Sequence, residues 1–181
     1  TGALADKDSV VPEKEWPRAS AVNSHGFHFA TVFDYGKAYR DGKTTPEEVA
    51  QKLLDAIEAS NSSTPPLRAV VTVYREDVMR QAREATQRIK AGKPLGIFDG
   101  VPVGVKEEVD MIPYPSTVGT SFLGKSPVKE DATVVARMRA AGALMIGKTN
   151  MHEIGLGVAG LNSNHGTTRN PYNTDHFTGG S

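Results

Sequence analysis

Lys106 is the first residue in this chain whose setting suggests chemistry. It ends the apolar run Val101-Pro102-Val103-Gly104-Val105, so its stem is delivered toward the interior at the end of a strand. Two readings follow from that placement. A snorkelling lysine would bury its methylenes and keep the ammonium in water. A desolvated lysine would favour the neutral amine, which is a usable general base. Glu107 and Glu108 argue for the charged form, although strand alternation sends Glu107 to the opposite face. Ser181 is the second candidate. It follows Gly179-Gly180, where backbone can take conformations closed to other residues and other groups can approach closely. The competing reading is a loose tail.

Other motifs carry less. Residues 155–160, Gly-Leu-Gly-Val-Ala-Gly, match the dinucleotide fingerprint G-x-G-x-x-G letter for letter. That fingerprint works only between a strand and a helix, with the pyrophosphate on the helix N-terminus. The following residues, through Pro171, have no helical face, so the context fails. His152, His165 and His176 stand at none of the short spacings that put two metal ligands on one face. They read as loop histidines, and neither a metal nor another cofactor is expected.

The elements that must position these residues alternate. Thr45-Pro46-Glu47-Glu48 supplies an N-cap, a proline at the first helical position and a glutamate three residues after the cap. Val49, Leu53, Leu54 and Ile57 follow at one-face spacing. Residues 60–66 read as a turn and residues 68–74 as a strand. A second helix is predicted over 76–91, with Val78, Met79, Ala82, Ala85 and Ile89 inward and Gly92 closing it. Residues 100–111 read as a strand. Asp131 is expected to open a helix carrying Val134, Val135 and Met138, and residues 143–147 form a short buried strand. The fold class is therefore α/β. From Lys148 onward Asn, Gly and Thr dominate, except for a short helix expected near residues 150–157. A structureless stretch of that length usually carries function.

Composition excludes several classes. The 181 residues hold 21 bases against 21 acids, so no global field draws nucleic acid or an anionic membrane. The absence of cysteine removes disulfides, thiolate metal sites and a cysteine nucleophile. No apolar run approaches the roughly 20 residues of a membrane span. The first residues lack an initiator methionine and a signal pattern, so the start reads as processed or cut. The sequon at Asn61 is discounted without a secretory signal.

Taken in order, residues 100–110, 142–157 and 162–181 resemble the amidase signature family of serine hydrolases. The resemblance covers roughly residues 95–181 and carries no diagnostic motif before them. The 75-residue separation from Lys106 to Ser181 is also the family's separation between its catalytic lysine and its bridging serine. The resemblance implies an amidase signature core, a mixed twisted sheet with helices on both faces, of which this chain holds the N-terminal part. Residues 1–42 would be an irregular arm with a short helix near 29–42. Residues 43–94 would be a helical region with one strand, and residues 95–181 the first part of the core.

The family's mechanism, carried onto this sequence, makes Lys106 the proton acceptor from Ser181. That bridging serine in turn deprotonates a nucleophilic serine, which attacks an amide carbonyl and forms an acyl-enzyme. Gly155, Gly179 and Gly180 would line the substrate site, and the Gly180–Ser181 bond would be cis. The family's nucleophile lies about two dozen residues past the bridging serine. The chain is thus expected to be inactive alone and to associate with the remainder of an amidase. The resemblance is nearest the plant-type fatty acid amide hydrolase branch. The alternatives are a non-catalytic binding or assembly protein on the same scaffold, or a glutamine-dependent amidotransferase A-type subunit. The expected partner is a small-molecule amide in the cytoplasm, without nucleic acid; peripheral membrane contact and a homodimer are compatible with the resemblance.

Overall fold

The computed structural model describes residues 30–180. Every element below belongs to the compact unit Val32–Ser181. Its order is α1 (Val32–Arg40), α2 (Pro46–Ser62), β1 (Val70–Thr72), α3 (Arg75–Lys90), β2 (Pro102–Lys106), α4 (Thr133–Ala140) and β3 (Leu144–Thr149).

Local chemistry sets the helix starts unevenly. Thr45 caps α2 through a complete capping box: its hydroxyl accepts from the Glu48 amide, and the Glu48 carboxylate accepts from the Thr45 amide. The helix then runs to Ser62, further than the polar composition of residues 60–62 suggests. Asp131 does not cap α4. The helix begins at Thr133 after Ala132, with no side-chain cap. Asp131 instead accepts from the Ile112 amide and from Arg139 Nε, tying the loop before α4 to its last turn.

The three strands form one mixed sheet in the order β1-β3-β2. Here β3 is parallel to β2 and antiparallel to β1. Helices cover both faces. On one, Leu144 and Ile146 pack with Ala50 and Leu54 of α2 and Val78 and Ala82 of α3. On the other, Met145 and Val105 pack with Met111, Tyr114 and Val135 of α4. Burying such side chains contributes about 1.5–3 kcal/mol each for the larger ones.

A break in register decides which face the end of β3 presents. Val103 pairs with Met145, but Gly104 pairs with Gly147, so Ile146 is an extra residue. Beyond this bulge the alternation inverts, and Lys148 becomes the partner of Val105 on the α4 face. Gly147 takes φ 145°, and a Cβ there would lie 2.4 Å from the Thr72 carbonyl oxygen. Only glycine fits that approach to β1. Strand β2 ends at Lys106 and does not continue to Met111, because Val109 N–H donates to the Lys106 carbonyl and turns the chain.

Candidate active site

Where β2 and β3 end, Lys106 and Thr149 are register partners on the face opposite Val105 and Lys148. They open into a cavity of about 300 Å³ lined by Lys106, Thr149, Asn150, Met151, Gly160, Thr168, Thr178, Gly179 and Gly180. The strand-end lysine and the two glycines preceding Ser181 thus share one cavity. Ser181 itself, and with it the Gly180–Ser181 bond, lies outside the described residues. The Lys106 Nζ is 2.9 Å from Glu108 Oε1, with both side chains a little over one-third exposed. Gly155 does not line the cavity. A Cβ built on it would sit 3.6 Å from Glu108 Oε2, so it flanks the carboxylate that pairs with Lys106.

Glu107 goes the other way, as alternation requires, and is 2 % exposed. Its carboxylate accepts from Thr117 N–H, Thr117 Oγ1–H and Gly119 N–H, each at 2.8 Å. The two amides flank Val118, a β-branched residue held at φ 55°. Such a conformation persists only where surroundings enforce it, and here a buried carboxylate does so. The Thr117 hydroxyl has one proton and gives it to Glu107. The contact of Thr117 Oγ1 with His165 Nε2 at 3.0 Å is therefore donated by the histidine, which fixes its tautomer.

Beside this carboxylate lies a second buried charge. Lys148 is fully buried, and its Nζ donates to the Val109 carbonyl at 2.6 Å and to Ser116 Oγ at 3.1 Å. Burial pushes its ammonium below the ordinary lysine range, while the charges of Glu107 and Asp110 pull the other way.

The long Asn- and Gly-rich stretch is held by side-chain amides in place of regular structure. Asn162 uses all four of its hydrogen-bonding positions. Its Nδ2 donates to the Gly119 and Met151 carbonyls, and its Oδ1 accepts from the amides of Asn164 and His165. Asn150 Nδ2 reaches the Gly166 carbonyl, and Arg169 N–H reaches the Leu67 carbonyl. The expected helix near 150–157 is a single 3-10 turn, Glu153–Gly155.

Among the described residues no helix follows Gly160, so the glycine fingerprint has no dinucleotide frame. Its glycines answer to packing. A Cβ on Gly157 would lie 2.0 Å from the His152 ring, and one on Gly160 would lie 2.9 Å from Thr178 Oγ1. Glu107, Asn162 and Thr149 were not legible as site-building residues. The available signals were the two adjacent acids after the strand-end lysine, and polar residues concentrated where apolar periodicity stops.

The family model described as Amidase matches residues 48–181. The chain is 42 % identical over 171 residues to a fatty acid amide hydrolase of Oryza sativa subsp. indica, covering 94 % of this chain and 28 % of that protein. It is 38 % identical over 140 residues to the A-type subunit of the glutamyl-tRNA(Gln) amidotransferase from Salinispora tropica, covering 77 % and 28 %. Among solved structures, native peptide amidase from Stenotrophomonas maltophilia superposes with a TM-score of 0.77 at 29 % identity, over 84 % of this chain and 32 % of that one. The chain belongs to the amidase family. It spans 28 % of the length of these curated relatives.

Proposed function

We propose that the complete protein hydrolyses an amide to a carboxylic acid and an amine, with Lys106 as proton acceptor and Ser181 as the bridging hydroxyl. The observation that carries this reading is the shared cavity. It joins the lysine at the end of β2 to Gly179 and Gly180, the residues that lead into Ser181. In the proposed step the Ser181 hydroxyl passes its proton to the Lys106 amine as it takes one from an attacking serine. That serine, by family resemblance, belongs to the part of the protein beyond residue 181. The proton then goes to the leaving amine, and water releases the acyl group. Gly155 sits beside the Glu108 carboxylate that pairs with Lys106, while Gly179 and Gly180 let a substrate approach the backbone.

Fatty acid amides are the favoured substrate class, supported by the higher identity and wider coverage of the fatty acid amide hydrolase. The amidotransferase likeness supports a second reading, in which the amide is glutamine and the protein works within a complex. The test is turnover by the complete protein of a long-chain fatty acid amide against glutamine. Lys106→Ala is expected to abolish hydrolysis of the preferred amide, and Ser181→Ala to lower it severely. Near wild-type turnover in either variant rejects the relay. Exclusive use of glutamine rejects the fatty acid amide assignment alone. Among the described residues no helix is long and apolar enough to cross a membrane.

A further inference from the structure

We propose that Thr178 is a specificity-determining residue that selects substrates with an N–H on the scissile amide, an inference that rests on the amide hydrolysis proposed above. The cavity beside Lys106 gathers two threonines, Thr168 and Thr178, around Gly160. Gly160 is buried and takes φ 70°. A Cβ there would lie 2.9 Å from Thr178 Oγ1, 3.6 Å from the Gly179 carbonyl oxygen and 3.8 Å from Thr168 Cβ. Glycine at 160 therefore leaves the Thr178 hydroxyl its place in the lining.

Where the hydroxyl protons go decides what this part of the lining can bind. A hydroxyl has one proton and two lone pairs, and a carbonyl oxygen can only accept. Thr178 Oγ1 donates to the Gly179 carbonyl at 3.0 Å, and Thr168 Oγ1 donates to the Arg68 carbonyl at 3.4 Å. Both protons are committed to backbone, so both oxygens can offer a ligand only lone pairs. Asn150 is turned to the backbone as well: its Nδ2 donates to the Gly166 carbonyl, and its Oδ1 accepts from the Met151 amide. Hydroxyl acceptors match the N–H of an amide. They offer nothing to an ester oxygen or to a doubly substituted amide nitrogen. A site that hydrogen-bonds an N–H discriminates against the analogue that lacks it. Thr178 makes the shorter of the two backbone bonds and leads directly into Gly179, so the selection is assigned to it.

The test uses the complete enzyme and two probes with the same acyl chain, oleamide and methyl oleate, of which only the first carries an N–H. Thr178→Val keeps the side-chain shape and removes the acceptor. It is expected to lower kcat/KM for oleamide about tenfold relative to that for methyl oleate, the scale of one lost hydrogen bond. Thr178→Ser keeps the acceptor, and its amide-to-ester ratio is expected to stay within about threefold of wild type. An unchanged ratio in Thr178→Val overturns the assignment, because a purely structural role moves both probes together. So does a ratio in Thr178→Ser as low as in Thr178→Val, since packing of the methyl would then be the cause. In both cases amide hydrolysis itself stands. A wild-type enzyme that hydrolyses neither probe overturns the fatty acid amide reading, and the Thr178 assignment with it.

Discussion

Replacing Glu107 by alanine in the complete protein removes the acceptor from three donors at once, the Thr117 amide, the Thr117 hydroxyl and the Gly119 amide. The hydroxyl can rotate to another acceptor, but the two amides cannot. A buried donor left without a partner costs about 1–3 kcal/mol, so the pair gives a loss of about 2–6 kcal/mol. The nearby buried ammonium of Lys148 would also lose an attracting charge, which places the expected value in the upper half of that range. Glutamine retains one acceptor oxygen and turns an NH2 toward the other amide. Glu107→Gln should therefore cost roughly 1–3 kcal/mol. The assay is urea unfolding followed by circular dichroism, with midpoint and slope compared across variants. Glu84→Ala serves as control. That carboxylate pairs with Arg80 at 2.9 Å with both side chains about half exposed, and exposed pairs are worth about 0–1 kcal/mol. A Glu107→Ala variant within the range of the control would refute the reasoning. Glu107→Gln as damaging as Glu107→Ala would refute the counting of donors.

Three further outcomes are expected. Because burial lowers Lys148 below its usual value near 10.5, the unfolded chain binds more protons between the lowered value and 10.5. Stability should rise with pH through that window, and Lys148→Met should abolish the rise in unfolding free energies measured from pH 7 to 10. Tyr39 behaves oppositely. Its buried hydroxyl donates to the Gly100 carbonyl at 2.8 Å, and burial raises it far above its ordinary 10.0. Its contribution is complete below pH 10 and lost as pH climbs above, where the unfolded tyrosine ionises. Tyr39→Phe should cost about 1–2 kcal/mol at neutral pH and flatten the alkaline loss. Gly157→Ala puts a methyl into the His152 ring and should cost about 1–3 kcal/mol. Adding His152→Ala should recover part of that loss, and a double-mutant cycle showing strict additivity would contradict the contact.

Much of the frame was legible because its causes are local. The capping box at Thr45 and Glu48 is complete within four residues, and α2 starts where it says. The periodicity of Val78, Ala82 and Ala85 survives as a fully buried face of α3. The motif spacing around Lys106 and Ser181 pointed to the family before any fold was in view. Asp131 shows the limit. Its type suits a cap, yet a guanidinium eight residues on, together with the Ile112 amide, outcompetes the helix amides for its oxygens.

The sequence by itself determined the family and the start of α2, which carries its own cap, and it suggested the two ends of the proposed relay. The tertiary structure alone decided which face Lys148 occupies, because a one-residue bulge at Ile146–Gly147 inverts the alternation of everything after it. It also decided what holds residues 150–180 and the turn at residues 117–119. There the amides of Asn150 and Asn162 and the carboxylate of Glu107 bind backbone groups from 10 to 43 residues away. Hydrogen bonds of that reach leave no periodic trace, since their partners are neighbours only once the chain has folded.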